Sequence, residues 1–141
     1  ALSDGADEID MVMNIGFLKS KDYENVLKDV EAVKNIMPNN ILKVILETCY
    51  LEDTEILKAS ELAIKGGADF IKTSTGFGTR GASAEDIKLM KSVAKDTTKI
   101  KASGGIKDTE TALQYIDLGA QRLGTSSGIA IMKGEKSNSN Y

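Results

Sequence analysis

The stretch Phe70-Ile71-Lys72-Thr73-Ser74-Thr75-Gly76-Phe77-Gly78 sets a lysine inside a short apolar run that reads as a buried strand. Desolvating an ammonium is costly unless it is paired or loses its proton, so Lys72 needs a reason to be there. The residues just before it, Gly66-Gly67-Ala68-Asp69-Phe70-Ile71, have counterparts in Asp4-Gly5-Ala6-Asp7-Glu8-Ile9 and Leu118-Gly119-Ala120-Gln121-Arg122-Leu123. Each is a glycine that stops a helix, a small residue, and then a strand. A unit repeated in this way is a βα unit, and repeated βα units imply a parallel sheet with right-handed crossovers.

Strands are expected near 8–13, 42–48, 69–73, 99–103 and 121–124. Helical spacing fills the intervals. Val26, Val30, Val33 and Met37 share one face of a helix that stops at Pro38-Asn39-Asn40. Ile56, Leu57, Ser60, Ala63 and Ile64 mark the next, which ends at Gly66-Gly67. Ser83-Ala84-Glu85-Asp86 is a capping box that opens a third. Asp108 caps a fourth with Ala112, Leu113 and Ile116 facing inward, and a short helix follows Ser126. The chain reads as one domain over 1–141, with no linker and only a polar tail at 136–141.

Strands covered by helices on both faces should be apolar throughout, and these are not. With period two, one parity is apolar: Ile9, Met11 and Met13, Val44 and Leu46, Ile71, Ile100. The other carries Glu8 and Asp10, Lys43 and Glu47, Lys72, Lys99 and Lys101. The first set would face helices. The second would converge on a shared interior where opposite charges compensate, and in a barrel the upper end of that interior is where chemistry sits.

The 141 residues suffice for one ordinary domain, and 41% hydrophobic with 28% charged residues supports a packed core in a soluble protein. A net charge of −3 without a basic block gives nothing that would draw nucleic acid or an anionic membrane. No apolar run reaches spanning length, no signal-peptide pattern is read, and a single Cys49, taken as an inert buried thiol, suits the cytoplasm. The chain has no histidine, which removes Ser-His-Asp and Cys-His nucleophiles and histidine-bound zinc. No tight Asp/Glu cluster has the spacing of a metal site.

What remains is amine and carboxylate chemistry. A lysine is a nucleophile only when neutral, and burial or a second ammonium favours the neutral form. Lys101 holds the position matching Lys72 one βα unit later, so the two amines would project from adjacent strands in the same direction. Such a pair can attack a carbonyl to form an imine that draws electrons from the neighbouring carbon. Asp10, from a third strand, could move the required proton; it could equally be an ordinary ion-pair partner, and Lys101 a structural partner of Glu47 or Glu8. Lys43, Lys99, Glu8 and Glu47 are read as a supporting charge network. Thr75-Gly76, Gly104-Gly105 and Gly124-Thr125-Ser126-Ser127 follow strand ends, where backbone N–H groups can hold phosphate, although such glycines also serve turn geometry alone.

These segments resemble a known family. G-A-D-E-I-D-M-V-M-N-I-G from Gly5, K-V-I-L-E-T from Lys43, G-A-D-F-I-K-T-S-T-G-F from Gly67, I-K-A-S-G-G-I from Ile100 and L-G-T-S-S-G from Leu123 are similar, in order and spacing, to the deoxyribose-phosphate aldolases, which are class I aldolases. The resemblance implies a TIM-type (β/α)8 barrel and reversible cleavage of 2-deoxy-D-ribose 5-phosphate to D-glyceraldehyde 3-phosphate and acetaldehyde, in deoxyribonucleotide catabolism. It implies Lys72 as the Schiff-base lysine, Lys101 as the second lysine, and Asp10 in the proton relay. Gly76, Gly104, Gly105, Gly124, Ser126 and Ser127 would lie in the phosphate-contacting loops. No metal or organic cofactor is implied, and the partners are a sugar phosphate and acetaldehyde. Five strands are counted where the barrel has eight, so the expected fold is an incomplete parallel (β/α) barrel with the first three βα units missing. Its open edges favour a homo-oligomer, a dimer, because unpaired edges and exposed apolar surface invite association. The outcomes are a shortened chain, a fragment completed by a second copy, or a rearranged fold. A catalytically silent module that self-associates or binds sugar phosphate is the competing reading.

Overall fold

A computed structural model describes residues 1–135. The expected polar tail at 136–141 lies outside the described residues. Five strands form one sheet: β1 (Glu8–Val12), β2 (Ile41–Ile45), β3 (Phe70–Lys72), β4 (Lys99–Ser103) and β5 (Arg122–Gly124), in the order β1-β2-β3-β4-β5. All four pairings are parallel. The helices are α1 (Ile15–Lys19), α2 (Tyr23–Asn35), α3 (Asp53–Lys65), α4 (Ala84–Ala94), α5 (Thr109–Asp117) and α6 (Gly128–Met132). Consecutive parallel neighbours joined through helices are what the βα repeat requires.

The helix boundaries follow local chemistry. Asp22 caps α2, its side chain accepting from the Asn25 N–H at 3.4 Å, and the helix ends before Pro38, which cannot continue the backbone ladder. Val26 and Val30 are its buried face; Met37 is buried just beyond the helix and Val33 only half-buried. α3 opens on a Glu52/Glu55 capping box and α4 on the Ser83/Asp86 box read in the sequence. Gly66 at the end of α3 lies against Val30 of α2, where a Cβ would come within 2.6 Å of Val30 Cγ1. That glycine lets the two helices approach. α1, capped by Asn14, is too short to show a helical period and has no counterpart among the expected elements.

Alternation along the strands divides the charges as expected. Leu42, Val44, Ile71, Ile100 and Ala102 are fully buried beneath the helices. Lys43, Lys72 and Lys101 take the opposite parity. Phe70 shares that interior parity, with Lys99 Nζ 5.6 Å and the Arg122 guanidinium 4.6 Å from its ring centre. The sheet is curled, not flat. Glu8 on β1 and Arg122 on β5, at the two outer edges, make a two-pronged ion pair at 2.6 and 3.0 Å. Strands that meet across an interior in this way are the arc of a barrel.

One inward face differs from expectation. In α5, Ala112 and Tyr115 are buried while Leu113 and Ile116 are half exposed. The reason is Tyr115, whose hydroxyl donates to the Ala82 carbonyl at 2.8 Å and so turns the aromatic ring toward the core. Leu113 and Ile116 are left outward, and Ile129 and Met132 of α6 are exposed as well.

The partition can be checked by chemical denaturation. Ile71→Ala should cost about 2–5 kcal/mol, the range for removing a fully buried branched side chain. Leu113→Ala should stay within about 0.5 kcal/mol. Equal losses would show that α5 is oriented differently.

Candidate active site

The register brings the charged residues together. Lys72 on β3 stands directly opposite Lys101 on β4, and Asp10 on β1 opposite Lys43 on β2. Asp10 accepts from Lys43 Nζ at 2.5 Å and from Lys72 Nζ at 2.8 Å, one oxygen for each lysine. Lys43 also pairs with Glu8 at 3.0 Å, and Glu8 with Arg122. A continuous chain of alternating charge thus runs Arg122–Glu8–Lys43–Asp10–Lys72. Lys43 and Lys72 are both buried, so each needs the carboxylates to offset lost hydration.

The titration behaviour follows this layout. Hydrogen bonds from Arg122 and then Lys43 pull Glu8 down to about 2. Burial pushes the Asp10 carboxyl up, but the bonds from Lys43 and Lys72 and their charges outweigh it, and Asp10 lies below its ordinary value. Burial likewise works against the Lys43 charge, and the Asp10 and Glu8 bonds reverse it, holding Lys43 above its ordinary value. Lys101 has no such partner: among the described residues no hydrogen bond or ion pair holds its amine. Burial first, and the Lys72 charge second, lower its pKa, with Asp10 opposing.

A cavity of about 400 Å³ opens at the carboxyl ends of the strands. Lys72, Lys101 and Ser103 line its strand side. Thr75, Gly76, Phe77, Gly78, Arg80 and Gly81 form the wall after β3, Gly104, Gly105 and Ile106 the wall after β4, and Gly124, Thr125 and Ser126 the wall after β5. The walls touch: a Cβ on Gly81 would fall 2.2 Å from the Gly104 carbonyl carbon, so only glycine permits this backbone contact. Gly104-Gly105 lies ahead of α5, which starts at Thr109 behind its Asp108 cap, so these glycines form a turn before the helix and do not open it. Ser127 stands apart from the lining. It is buried, its N–H donates to Thr125 Oγ1 at 2.9 Å, and its hydroxyl has no partner among the described residues.

Two members of the expected charge network are elsewhere. Lys99 lies over the Phe70 ring. Glu47 accepts from the Thr75 N–H and hydroxyl, and is not paired with Lys101. Cys49 is half-buried, not fully buried. The clamp that fixes the loop after β3 was not read from sequence. Asp86, beyond closing the capping box, accepts from Arg80 through two nitrogens at 2.5 and 3.0 Å and from the Thr48 hydroxyl at 3.0 Å. The unusual signal was an arginine six residues before a capping-box aspartate. Among the described residues no group of three or more His, Cys, Asp or Glu is arranged to hold a metal ion, and no helix is long and apolar enough to cross a membrane.

A parallel sheet curled as a barrel arc, with Lys72 and Lys101 side by side on adjacent strands and Asp10 in contact with Lys72, is an architecture of the (β/α)-barrel class. The sequence pattern of the DeoC/LacD family aldolases matches residues 1–134, and the chain belongs to that family. It is 54% identical over its whole length to deoxyribose-phosphate aldolase 1 of Mesoplasma florum, and 58% identical over 134 residues to the deoxyribose-phosphate aldolase of Finegoldia magna. It spans 64% and 63% of those two proteins. Among solved structures, an aldolase designated QR15 superposes with a TM-score of 0.88 at 50% identity, covering 94% of this chain and 60% of that one. A deoxyribose phosphate aldolase from Aeropyrum pernix, described as having a unique tetrameric structure, superposes with a TM-score of 0.83 at 31% identity, covering 94% of this chain and 56% of that one.

The unpaired Lys101 has a measurable consequence. Its folded pKa lies below the ordinary 10.5. Between those two values the unfolded chain binds more protons, so Lys101 makes stability rise with pH across that window; below it, the charged amine destabilises the fold. Lys101→Met should therefore unfold at a higher urea concentration at neutral pH, and the gain should shrink as pH approaches 10.5. A lower midpoint at neutral pH would contradict this.

Proposed function

We propose that this chain carries the catalytic residues of a class I aldolase acting on 2-deoxy-D-ribose 5-phosphate, in the cytoplasm. The observation that supports it best is the 2.8 Å contact between Lys72 Nζ and Asp10, beside Lys101 in register and under glycine-rich loops. The names of the relatives point the same way.

Lys72 is the nucleophile. Its neutral amine adds to the C1 carbonyl of the open-chain sugar, and loss of water leaves a protonated imine. The positive nitrogen accepts the electron pair of the C2–C3 bond as the C3 hydroxyl gives up its proton. Glyceraldehyde 3-phosphate leaves. The remaining enamine takes a proton at C2, and water releases acetaldehyde and restores the amine. Asp10, hydrogen-bonded to Lys72 Nζ, relays protons directly or through water. Lys101, directly opposite on β4, places a second amine beside Lys72. Gly76, Gly104, Gly105, Gly124 and Ser126, around one cavity, are the phosphate contacts, with Ser127 behind them.

A second reading is favoured by the apolar residues left outward on α5 and α6. In it the barrel arc associates as a homodimer and binds sugar phosphate without turnover. A sedimentation mass of one chain would remove the dimer.

Acetaldehyde with borohydride should fix a stable two-carbon adduct on Lys72, located by peptide mass spectrometry. Protein that stays unmodified, or is modified on another lysine, would refute the assignment. Lys72→Ala should abolish cleavage with the fold retained, and Asp10→Asn should slow it by roughly 10²–10⁴-fold, the usual contribution of a positioned proton-transfer group.

A further inference from the structure

The loop after β3 is exposed, with Phe77 almost fully in solvent, yet it forms a wall of the lysine cavity. Among the described residues, every hydrogen bond made by residues 75–78 runs through Glu47 or through the Thr75 hydroxyl. The Thr75 N–H donates to both Glu47 oxygens at 3.1 and 3.2 Å, and the Thr75 hydroxyl donates to Oε2. The same hydroxyl accepts from the Phe77 N–H at 3.1 Å. Gly78 closes on the other side, where a Cβ would lie 3.2 Å from Glu47 Oε1 and 2.5 Å from Cys49 Sγ.

Glu47 is itself costly to keep. It is 4% exposed and has no cationic partner among the described residues. Its backbone is left-handed, φ 54 and ψ 60, a conformation that side chains disfavour. Flanking bonds hold it there: the Leu46 N–H donates to the Lys72 carbonyl and the Thr48 N–H to the Thr73 carbonyl, each at 2.9 Å. The left-handed turn directs the carboxylate onto the segment three residues past Lys72. An exposed loop amide could be satisfied by water alone. Spending a strained, buried carboxylate on it makes sense if the shape of the turn matters.

We propose that Glu47 is a positioning residue. Its carboxylate sets the Thr75–Gly76–Phe77 turn over the lysine pair, and so determines how well the cavity holds the phosphorylated end of the substrate. The inference deepens the aldolase reading and rests on it for the identity of the substrate. Glu47 touches neither reacting atom, so its removal should act on substrate affinity more than on chemistry.

The test compares Glu47→Gln, Glu47→Met and Thr75→Val with the unmodified chain. Gln keeps an acceptor for the Thr75 N–H and can donate to the Thr75 hydroxyl, whereas Met keeps neither. Glu47→Met should speed amide exchange at Thr75 and Phe77 by roughly tenfold or more, with β3 amides unchanged, and should raise KM for 2-deoxyribose 5-phosphate by about tenfold with kcat changed less than about threefold. Glu47→Gln should stay within about threefold on each measure. Should Glu47→Met not fold, Thr75→Val takes its place, with faster exchange expected at Phe77. Unchanged exchange in Glu47→Met, a Gln variant as impaired as Met, or a loss in kcat alone would overturn the proposal. Acetaldehyde trapping on the unmodified chain separates the two ideas: absence of the Lys72 adduct defeats the aldolase reading, while the exchange comparison still decides the role of Glu47.

Discussion

One carboxylate holds the interior of this sheet together. Asp10 gives one oxygen to Lys43 and the other to Lys72, and without it two buried ammonium groups, two register positions apart on adjacent strands, would share the interior with no carboxylate between them. Neither lysine can turn away, because the opposite parity of each strand is filled by Val44 and Ile71 under the helices. Parallel pairing then dictates the rest. A residue on one strand meets a fixed residue on the next, so placing Lys72 places Lys101 beside it. Glu8 and Arg122 extend the compensation to both edges and draw the sheet into an arc. Charge pairing and curvature are therefore one constraint.

Lys101 is where that compensation stops. Every other interior cation has a carboxylate in hydrogen-bond contact or an aromatic ring beneath it. Lys101 has burial and positive neighbours instead, and faces an open cavity. That leaves a local electrostatic cost in the middle of β4, beside the cavity walled by the glycine-rich loops.

Much of this was legible because it depends on short-range periodicity. Period two assigned Lys72 and Lys101 to one face, and the recurring glycine–small residue–strand unit put them on adjacent parallel strands. The capping signals at Ser83 and Asp108 were equally local. What escaped depends on contacts distant in sequence. Leu113 and Ile116 have inward spacing, yet Tyr115 wins the core because its hydroxyl finds the Ala82 carbonyl thirty-three residues away. The left-handed turn at Glu47 carries no glycine to announce it, and its partner lies twenty-eight residues on. The Arg80–Asp86 clamp looked like helix capping alone, since the Thr48 contact joins it only in three dimensions.

The central claim is that Lys72 and Lys101 feel each other's charge across adjacent strands. Side-chain NMR titration of the lysine amines tests it directly. The account predicts that Lys101 titrates below its ordinary 10.5 and moves upward in Lys72→Met, because the largest charge that depresses it has been removed. A Lys101 that titrates at 10.5 and does not respond to Lys72→Met would contradict the shared site.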